Sequence, residues 1–305
     1  AYEWADIVVL HVHMFDPIPI MAFGVEGGPP VLFMNHGDHV FWIGTSIIDN
    51  LINFREAGEE LSGIRRNTCR TSYLPLPLEL PDIKFETKSI IRDKLCIKQD
   101  AVVLLTIASA YKFKTFGKIH YVDILKRVLD RHNDVLVIVI GPDNTGLWQK
   151  ANEETKGRIL PIGVQQDIEK YYAIADIYVD SYMFGSLTSA LDGGLNKLPV
   201  AALQNYNSRT LSIDDILYDS DDKSFNNMED FANYIGKLIS DKNYREKEGE
   251  ELSIRIEKNH IYKWCDYLNG IYKKVGEKAH NIYLNHNIEN LLGNEDLFLA
   301  LFQKK

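Results

Sequence analysis

Residues 157–203 read GRILPIGVQQDIEKYYAIADIYVDSYMFGSLTSALDGGLNKLPVAAL, and this stretch decides the fold. Its apolar and polar runs alternate in the order strand, loop, helix, strand, polar loop, helix, strand. The polar loop Ser181–Ser189 directly follows the short apolar run Ala175–Val179. In parallel sheets, ligands bind at the carboxyl ends of strands, where helix N-termini present free N–H groups. The hydroxyl side chains of this loop, with Asp192 one helical turn further on, suit a phosphate and a ribose.

The chain around this stretch shows the same alternation from about Phe85 onward. Strands are predicted at Val102–Ala108, Val135–Ile140, Arg158–Pro161, Ile177–Val179 and Pro199–Ala202. Helices are predicted near Lys118–Arg131, Ile168–Ala173, Ser189–Leu195, Met228–Ser240, Asn243–Glu257 and Ile261–Ala279. Such alternation indicates a parallel sheet that is covered by helices on both faces.

The first 75 residues predict a smaller α/β region. Its expected elements are the strands Ile7–Leu10, Val31–Met34 and Leu51–Phe54 and the helix Ile18–Phe23. Three prolines within Tyr73–Pro81 exclude a helix or a central strand there and indicate a linker. The expected organisation is a partial N-terminal domain (1–75), a linker (76–84), a C-terminal domain (85–280) and a helix (281–305) that packs back on the first domain.

Composition and charge exclude several classes of protein. A length of 305 residues corresponds to about two domains, and 45% hydrophobic residues suffice for a buried core. A net charge of −9 argues against a broad nucleic-acid interface. No apolar run approaches the roughly 20 residues of a membrane span. Three scattered cysteines favour a reducing, cytoplasmic compartment, and the start at Ala1, without a methionine, indicates a fragment.

Two further loops are candidates for ligand binding. Lys112 and Lys114 follow the first strand of the second domain, where a lysine can neutralise a departing diphosphate. The alternative is that both are solvated loop lysines. The loop Pro161–Asp167 follows another strand, and its alternative is an ordinary connection capped by Asp167. For the polar loop itself, the alternative is a helix N-cap formed by Ser186 or Thr188.

The order and types of these residues resemble the donor-binding half of GT-B glycosyltransferases. The resemblance is strongest to the O-linked N-acetylglucosaminyltransferases and their bacterial relatives. Tyr111-Lys112 matches a Tyr-Lys pair of that family, whose lysine contacts the diphosphate, and Ser109 precedes this pair among the nucleotide-binding candidates. Gly163 and Gln165 occupy the places at which the family holds the uracil through backbone groups.

The polar loop matches the family pattern Gly-His-Thr-Thr-x-x-Asp, which here begins at Ser186. The resemblance implies that Thr188 and Ser189 hold the diphosphate and that Asp192 accepts hydrogen bonds from the ribose hydroxyls. Ser186, at the start of the pattern, is a further nucleotide-binding candidate. Leu187 departs from the pattern, because the family has a histidine there.

The spacing of acidic residues bears on the stereochemistry of the expected reaction. Many retaining GT-B transferases carry two glutamates eight residues apart, and Asp192 stands where the second would be. Eight residues earlier the chain has Phe184, which carries no charge. The inverting relatives therefore fit better.

The loop Asn35–Trp42, after the second predicted strand, contains the candidates for a general base. An inverting transfer needs a base near the acceptor hydroxyl, and histidine has a suitable pKa range. His36 most closely resembles the histidine that many GT-B enzymes place at this strand end, and Asp38 or His39 would orient it or act as the base. The alternatives are a zinc site through H-x-x-H or purely structural histidines.

Together these features predict a GT-B-like α/β fold with two Rossmann-like domains facing a cleft, the N-terminal one truncated or minimal. The expected activity is metal-independent transfer of a sugar from a UDP-linked donor to an unidentified protein or glycan acceptor, without any further cofactor. The catalytic candidates are His36, Asp38, His39 and Lys112. The alternatives are a nucleotide-sugar epimerase on the same fold and a catalytically silent module that partners another transferase. Neither a nucleic-acid partner nor a membrane span is expected.

Overall fold

The computed structural model of the protein consists of two compact units. It describes residues 4–13, 15–37, 40, 42–66, 68, 70–81, 87–115, 120–204, 211–217, 225–276 and 278–284. The first unit comprises Ala1–Leu78 and Asn259–Lys305, and the second comprises Glu79–Lys258. Among the helices formed by the described residues, none combines the length and the apolar character needed to cross a membrane.

The first unit contains a four-stranded parallel sheet. Its strands, in spatial as well as chain order, are β1 (Val8–Leu10), β2 (Val31–Asn35), β3 (Asn50–Asn53) and β4 (Thr71–Tyr73). Helix α1 (Ile18–Phe23) follows β1, and helix α2 (Ala57–Arg66) follows β3. The central strands β2 and β3 are almost wholly buried, as expected for a parallel sheet with both faces covered.

The second unit contains a five-stranded parallel sheet. Its strands are β5 (Val102–Ile107), β6 (Val135–Ile140), β7 (Ile159–Pro161), β8 (Ile177–Val179) and β9 (Val200–Ala201). Their spatial order is β7-β6-β5-β8-β9. The chain adds β6 and β7 on one side of β5, and then β8 and β9 on the other side. The parallel sheet predicted from residues 157–203 is therefore confirmed.

Helices cover this second sheet. They are α3 (Lys88–Lys94), α4 (Tyr121–Arg131), α5 (Gly146–Glu154), α6 (Glu169–Ile174), α7 (Leu187–Leu195), α8 (Asp214–Leu217), α9 (Met228–Ser240) and α10 (Lys242–Ile256). Helix α4 illustrates why they form, because its apolar residues recur at helical spacing and bury one face. Helix α10 passes close to the end of α7: a Cβ added at Gly249 would lie 2.0 Å from the carbonyl oxygen of Lys197.

The chain then returns to the first unit through a π-helical turn, Glu257–Tyr262, and helix α11 (Trp264–Val275). Ile271 and Val275 of α11 pack in one cluster with apolar residues of the first sheet, including Leu32 and Ile52. This boundary differs from the expected one, which kept residues up to 280 in the second domain. The physical reason is that the apolar face of α11 completes the core of the first sheet.

Residues 279–284, named here the C-terminal strap, are bound to the first unit through Asp49. The two ring nitrogens of His280 lie 2.6 Å from Asp49 Oδ2 and 2.7 Å from the Phe23 carbonyl oxygen. The Tyr283 hydroxyl donates to Asp49 Oδ1 at 3.1 Å. A final helix was expected over 281–305. Residues 281–284 are not helical, although Ile282 packs on the first core as that expectation implied, and residues 285–305 lie outside the described part.

Candidate functional site

The strand order of the second sheet reverses between β5 and β8. Such a topological switch point is where open α/β sheets bind ligands, outside the carboxyl ends of the strands. A 3₁₀ turn, Ala110–Phe113, follows β5. Residues 180–186, named here the 180–186 loop, follow β8 and lead into α7. Both segments carry candidate residues from the sequence, so the candidate site lies at this edge.

The 180–186 loop is held by the side chain of its first residue. Asp180 is only 3% exposed, and its Oδ1 accepts a hydrogen bond from the backbone N–H of Ser186 at 2.9 Å. The N–H of Gly185 donates to the Leu211 carbonyl at 2.8 Å. A Cβ added at Gly185 would lie 2.8 Å from both Asp180 Oδ2 and Ile213 Cγ2, so only glycine fits there without a shift. The path of the loop is therefore closely determined.

Lys112 reaches this loop from the turn after β5. Its Nζ donates to the Gly185 carbonyl at 3.0 Å and lies 4.7 Å from the centroid of the Phe184 ring. The Phe184 N–H donates in return to the Lys112 carbonyl at 3.2 Å. Tyr111 is 54% exposed, and its ring meets that of Phe184 edge-on at 6.0 Å. The lysine singled out in the sequence thus lies at the start of α7 and is half-buried.

Two charged groups at the site perturb each other. Burial raises the pKa of Asp180 to about 7, while the Ser186 N–H, the Lys112 charge and the Ser181 N–H act to lower it. Burial also lowers the pKa of the Lys112 ammonium, and the Asp180 charge acts to raise it. A carboxyl group whose pKa lies near neutral pH, beside a partly desolvated ammonium, is an arrangement typical of functional sites.

The start of α7 is open to an anion. Ser186 is the N-cap residue, as one alternative from the sequence had it, but its side chain accepts no capping hydrogen bond from a backbone N–H of the first turn. Its Oγ donates instead to the Ser189 Oγ at 3.2 Å. Thr188 is exposed. Because the first N–H groups of an α-helix have no partner within the helix, this end attracts negative charge.

Asp192 lies on α7 beside a tyrosine that the sequence did not single out. The Tyr172 hydroxyl, from α6, donates to the Ser189 carbonyl at 2.9 Å. Burial raises the pKa of Asp192. Burial is also the main cause of the raised pKa of Tyr172, and the charge of Asp192 adds to it. Asp192, the candidate for binding the ribose, is thus half-buried. It lies on the same helix as Ser189.

Gly163 and Gln165 lie in the loop after β7 and have structural roles there. Gly163 has a φ of 67°, its carbonyl accepts from Gly141 N–H at 2.9 Å, and an added Cβ would lie 2.7 Å from Asp143 Oδ1. The side chain of Gln165 donates to the Ile162 carbonyl at 2.6 Å and accepts from the Tyr171 hydroxyl at 3.2 Å. The Gln165 side chain therefore shapes the loop. The backbone groups of the loop are the ones that remain for hydrogen bonds to a nucleobase.

The loops after β5 and β6 also meet at a glycine. Gly141 has a φ of 120°, and a Cβ there would lie 1.8 Å from the Ala108 carbonyl oxygen and 3.7 Å from the Cα of Ser109. Ser109 is exposed beside this contact, and its carbonyl accepts from the Lys112 N–H at 2.9 Å. The segment after β6 thereby packs against the start of the turn that carries Lys112.

In the first unit, the structure describes one of the three candidate bases. His36 is exposed at the carboxyl end of β2, with its Nδ1 3.2 Å from the Met34 carbonyl oxygen. Its ring meets that of His11, after β1, at a centroid distance of 5.7 Å. Asp38 and His39 lie outside the described residues. Within the part of the chain that the structure describes, no group of three or more His, Cys, Asp or Glu side chains could hold a metal ion.

Asp180 is a second residue of the candidate site, besides Tyr172, that sequence reasoning missed. The available signal was an acidic residue directly after the buried strand β8, at the position where strand ends carry ligand-binding groups. The loop that Asp180 begins is held partly through contacts of Gly185 with Leu211 and Ile213, about thirty residues further along the chain. No local pattern reveals such a contact.

Comparisons with known proteins show the fold. No protein-family model matches the chain, and no curated protein matches it by sequence. A variant of S. aureus TarM, solved with Fondaparinux, alpha-GlcNAc-glycerol and UDP, is similar with a TM-score of 0.61 at 13% identity, over 86% of this chain and 54% of TarM. Anabaena HepE, solved with UDP and glucose, gives 0.62 at 14% identity, over 82% and 72% of the two chains.

An O-GlcNAc transferase from Thermobaculum terrenum is also similar, with a TM-score of 0.54 at 12% identity, over 82% of this chain and 48% of that one. The chain thus spans about half the length of this transferase and of TarM. The mixed α/β architecture with parallel sheets matches these glycosyltransferases, which confirms the GT-B-like fold class expected from the sequence.

Proposed function

We propose that the protein is a glycosyltransferase that moves a sugar from a UDP-linked donor to a protein or glycan acceptor. The observation that carries the proposal is the position of Lys112 at the topological switch point, with its Nζ 3.0 Å from the carbonyl oxygen of Gly185 just before α7. TarM and HepE, which are similar in fold, were solved with UDP, and this supports UDP as the nucleotide to test first.

The chemistry of the transfer requires that negative charge on the leaving diphosphate be neutralised. The Lys112 ammonium and the N–H groups at the start of α7 are preorganised for that task, because an ammonium and a helix N-terminus both favour an anion. Ser186, Thr188 and Ser189 add hydroxyl donors on the same turn. These groups supply the charge stabilisation without a metal ion in our proposal.

The rest of the donor is assigned to neighbouring loops. Asp192, one turn along α7, accepts hydrogen bonds from the ribose hydroxyls. The backbone of the loop from Gly163 to Gln165 faces the uracil. On the acceptor side, His36, with Asp38 or His39, is the proposed general base of an inverting transfer. The identity of the sugar is left to experiment.

The test is the binding of UDP to matched lysine variants, measured by isothermal titration calorimetry. Lys112→Met keeps the length of the side chain and removes the ammonium, so we expect the dissociation constant for UDP to rise about 10- to 100-fold, the equivalent of about 1.5–3 kcal/mol for a charge-assisted hydrogen bond. Lys114→Met removes the same charge from an exposed lysine two residues further on and should change the affinity less than threefold. Equal affinities of wild type and Lys112→Met would refute the proposal.

A further inference from the structure

Asp180 connects the second sheet to the start of α7. Its backbone N–H donates to the Ala201 carbonyl at 2.8 Å, which continues the pairing of β8 with β9. Its carboxylate accepts the N–H of Ser186, the N-cap residue of α7, at 2.9 Å. One buried side chain therefore fixes the loop whose Gly185 carbonyl receives the Lys112 ammonium.

The charge of Asp180 is poorly neutralised by the titratable groups around it. Lys112 faces it from the turn after β5, but the ammonium donates to Gly185. Tyr121 faces it from α4, and its hydroxyl donates to the Val179 carbonyl at 3.4 Å. Tyr178 lies on β8, and its hydroxyl donates to the Ile107 carbonyl at 3.1 Å. Backbone N–H groups are thus the main partners of a carboxylate that is 3% exposed.

We propose that Asp180 is a positioning residue of the donor site and that its carboxylate becomes protonated when a nucleoside diphosphate binds. This inference rests on the proposed function. A diphosphate at the start of α7 adds negative charge beside a buried carboxylate and draws the Lys112 ammonium toward itself. Both changes favour the neutral carboxyl form. The proton comes from solvent and no other bond changes.

Protonation of Asp180 is compatible with its structural role. A carboxylic acid keeps a carbonyl oxygen that accepts hydrogen bonds. The Ser186 N–H can therefore still donate to Asp180, and the 180–186 loop keeps its path while the repulsion between carboxylate and diphosphate disappears. Binding of the diphosphate is in this way coupled to protonation of Asp180, the residue that holds the 180–186 loop.

The sign of the pH dependence follows from linkage. In the free protein, burial raises the pKa of Asp180 to about 7, and a bound diphosphate raises it further. Binding then takes up protons, so the affinity for UDP falls as the pH rises through and above 7. We expect the dissociation constant of the wild type to increase about fivefold between pH 7 and pH 8.5.

Calorimetry of UDP binding at pH 7.5, in two buffers of different ionisation enthalpy, tests the inference. The wild type should take up roughly half a proton per UDP. The phosphate of UDP, with a second pKa of about 6, is already ionised at this pH. Asp180→Asn should take up none, and its affinity should not change between pH 7 and pH 8.5. Asp130→Asn, an exposed change of the same kind on α4, should behave as the wild type.

Three results would overturn the inference. The first is binding of UDP to the wild type without proton uptake, which overturns the inference even if no variant folds. Uptake that persists in Asp180→Asn assigns the proton to another group, such as Lys112. Loss of uptake in Asp130→Asn shows that the effect is not local to the site. Absence of any UDP binding to the wild type contradicts the proposed function itself, which is a separate outcome.

Discussion

Gly185 shows how much a single position contributes to the site. It lies in the 180–186 loop between Asp180 and Ile213, with room for a hydrogen but not for a methyl group. Its carbonyl receives the Lys112 ammonium, and its N–H is bound to Leu211. The backbone of this glycine therefore links the lysine to the buried carboxylate.

We expect Gly185→Ala to weaken UDP binding about tenfold and to lower the free energy of unfolding by about 1–3 kcal/mol. The added methyl group must displace Asp180 or Ile213, and overpacking of this kind costs about that much. Calorimetry and urea denaturation measure the two effects. Gly270→Ala, at a site with no atom within 4 Å of the added Cβ, controls for the change of residue type. Unaltered affinity in Gly185→Ala would show that the loop does not position Lys112.

Candidate site residues with a local sequence signal could be proposed from the sequence, whereas candidates defined by distant contacts could not. Lys112 follows a strand, and Asp192 follows hydroxyl residues by one helical turn, so spacing and resemblance picked them out. Tyr172 was missed because its role depends on α6 lying beside α7. No feature of the sequence of α6 indicates that its tyrosine hydroxyl reaches the Ser189 carbonyl.

Among the elements, α10 and α11 offer a direct comparison of two helical glycines. Gly249 of α10 allows the close approach of the Lys197 carbonyl, whereas Gly270 of α11 has open space around its missing Cβ. A glycine inside a helix is less stable than alanine unless close packing requires it.

The two alanine substitutions should therefore have opposite effects on stability. We expect Gly270→Ala to raise the free energy of unfolding by about 0.5–1 kcal/mol, because alanine lowers the entropy cost of helix formation. Gly249→Ala should lower it by about 1–3 kcal/mol, because α10 must move away from Lys197. Thermal and urea denaturation of both variants provide the measurement. A destabilised Gly270→Ala would mean that the space beside Gly270 is occupied in solution.

Element prediction succeeded where the apolar pattern was strong. The runs that became β5 and β6 are long, apolar and β-branched, and they appeared where expected. Strand β4 was missed, because Thr71–Tyr73 is a three-residue edge strand without an apolar run. The helix at α11 was predicted, but helical periodicity does not tell which of two sheets the helix covers, so its unit was assigned differently.

In the whole molecule, each unit has its own sheet and its own carboxylate that binds several chain segments. Asp49 holds the C-terminal strap and accepts the Val31 N–H at 2.8 Å in the first unit. Asp176 binds Lys88 and Arg92, each at 2.7 Å, and the Val103 N–H at 2.8 Å in the second. The Asp49 side chain is the more deeply buried of the two, with 3% exposed against 14% for Asp176.

Asp49→Asn and Asp176→Asn should each loosen one unit. Removal of one partner from a buried, hydrogen-bonded charge cluster costs about 3–5 kcal/mol. We expect faster amide hydrogen exchange in β2 and β3 for Asp49→Asn, and in β5 and β8 for Asp176→Asn, with the other sheet unchanged. Mass spectrometry of peptides from each sheet measures this. Equal acceleration in both sheets would mean that the two units open as one cooperative block.

The return of α11 and His280 to the first sheet has a consequence for synthesis on the ribosome. The β-strands of that sheet emerge early, but Ile271 and Val275, which close its core, emerge only after the whole second unit has been translated. Domains fold as units during translation. The second unit is one continuous segment, Glu79–Lys258, so all of it has been synthesised before the last segment of the first unit appears. Until then one apolar face of the nascent N-terminal strands stays uncovered, and exposed apolar surface of this kind makes folding intermediates prone to aggregation.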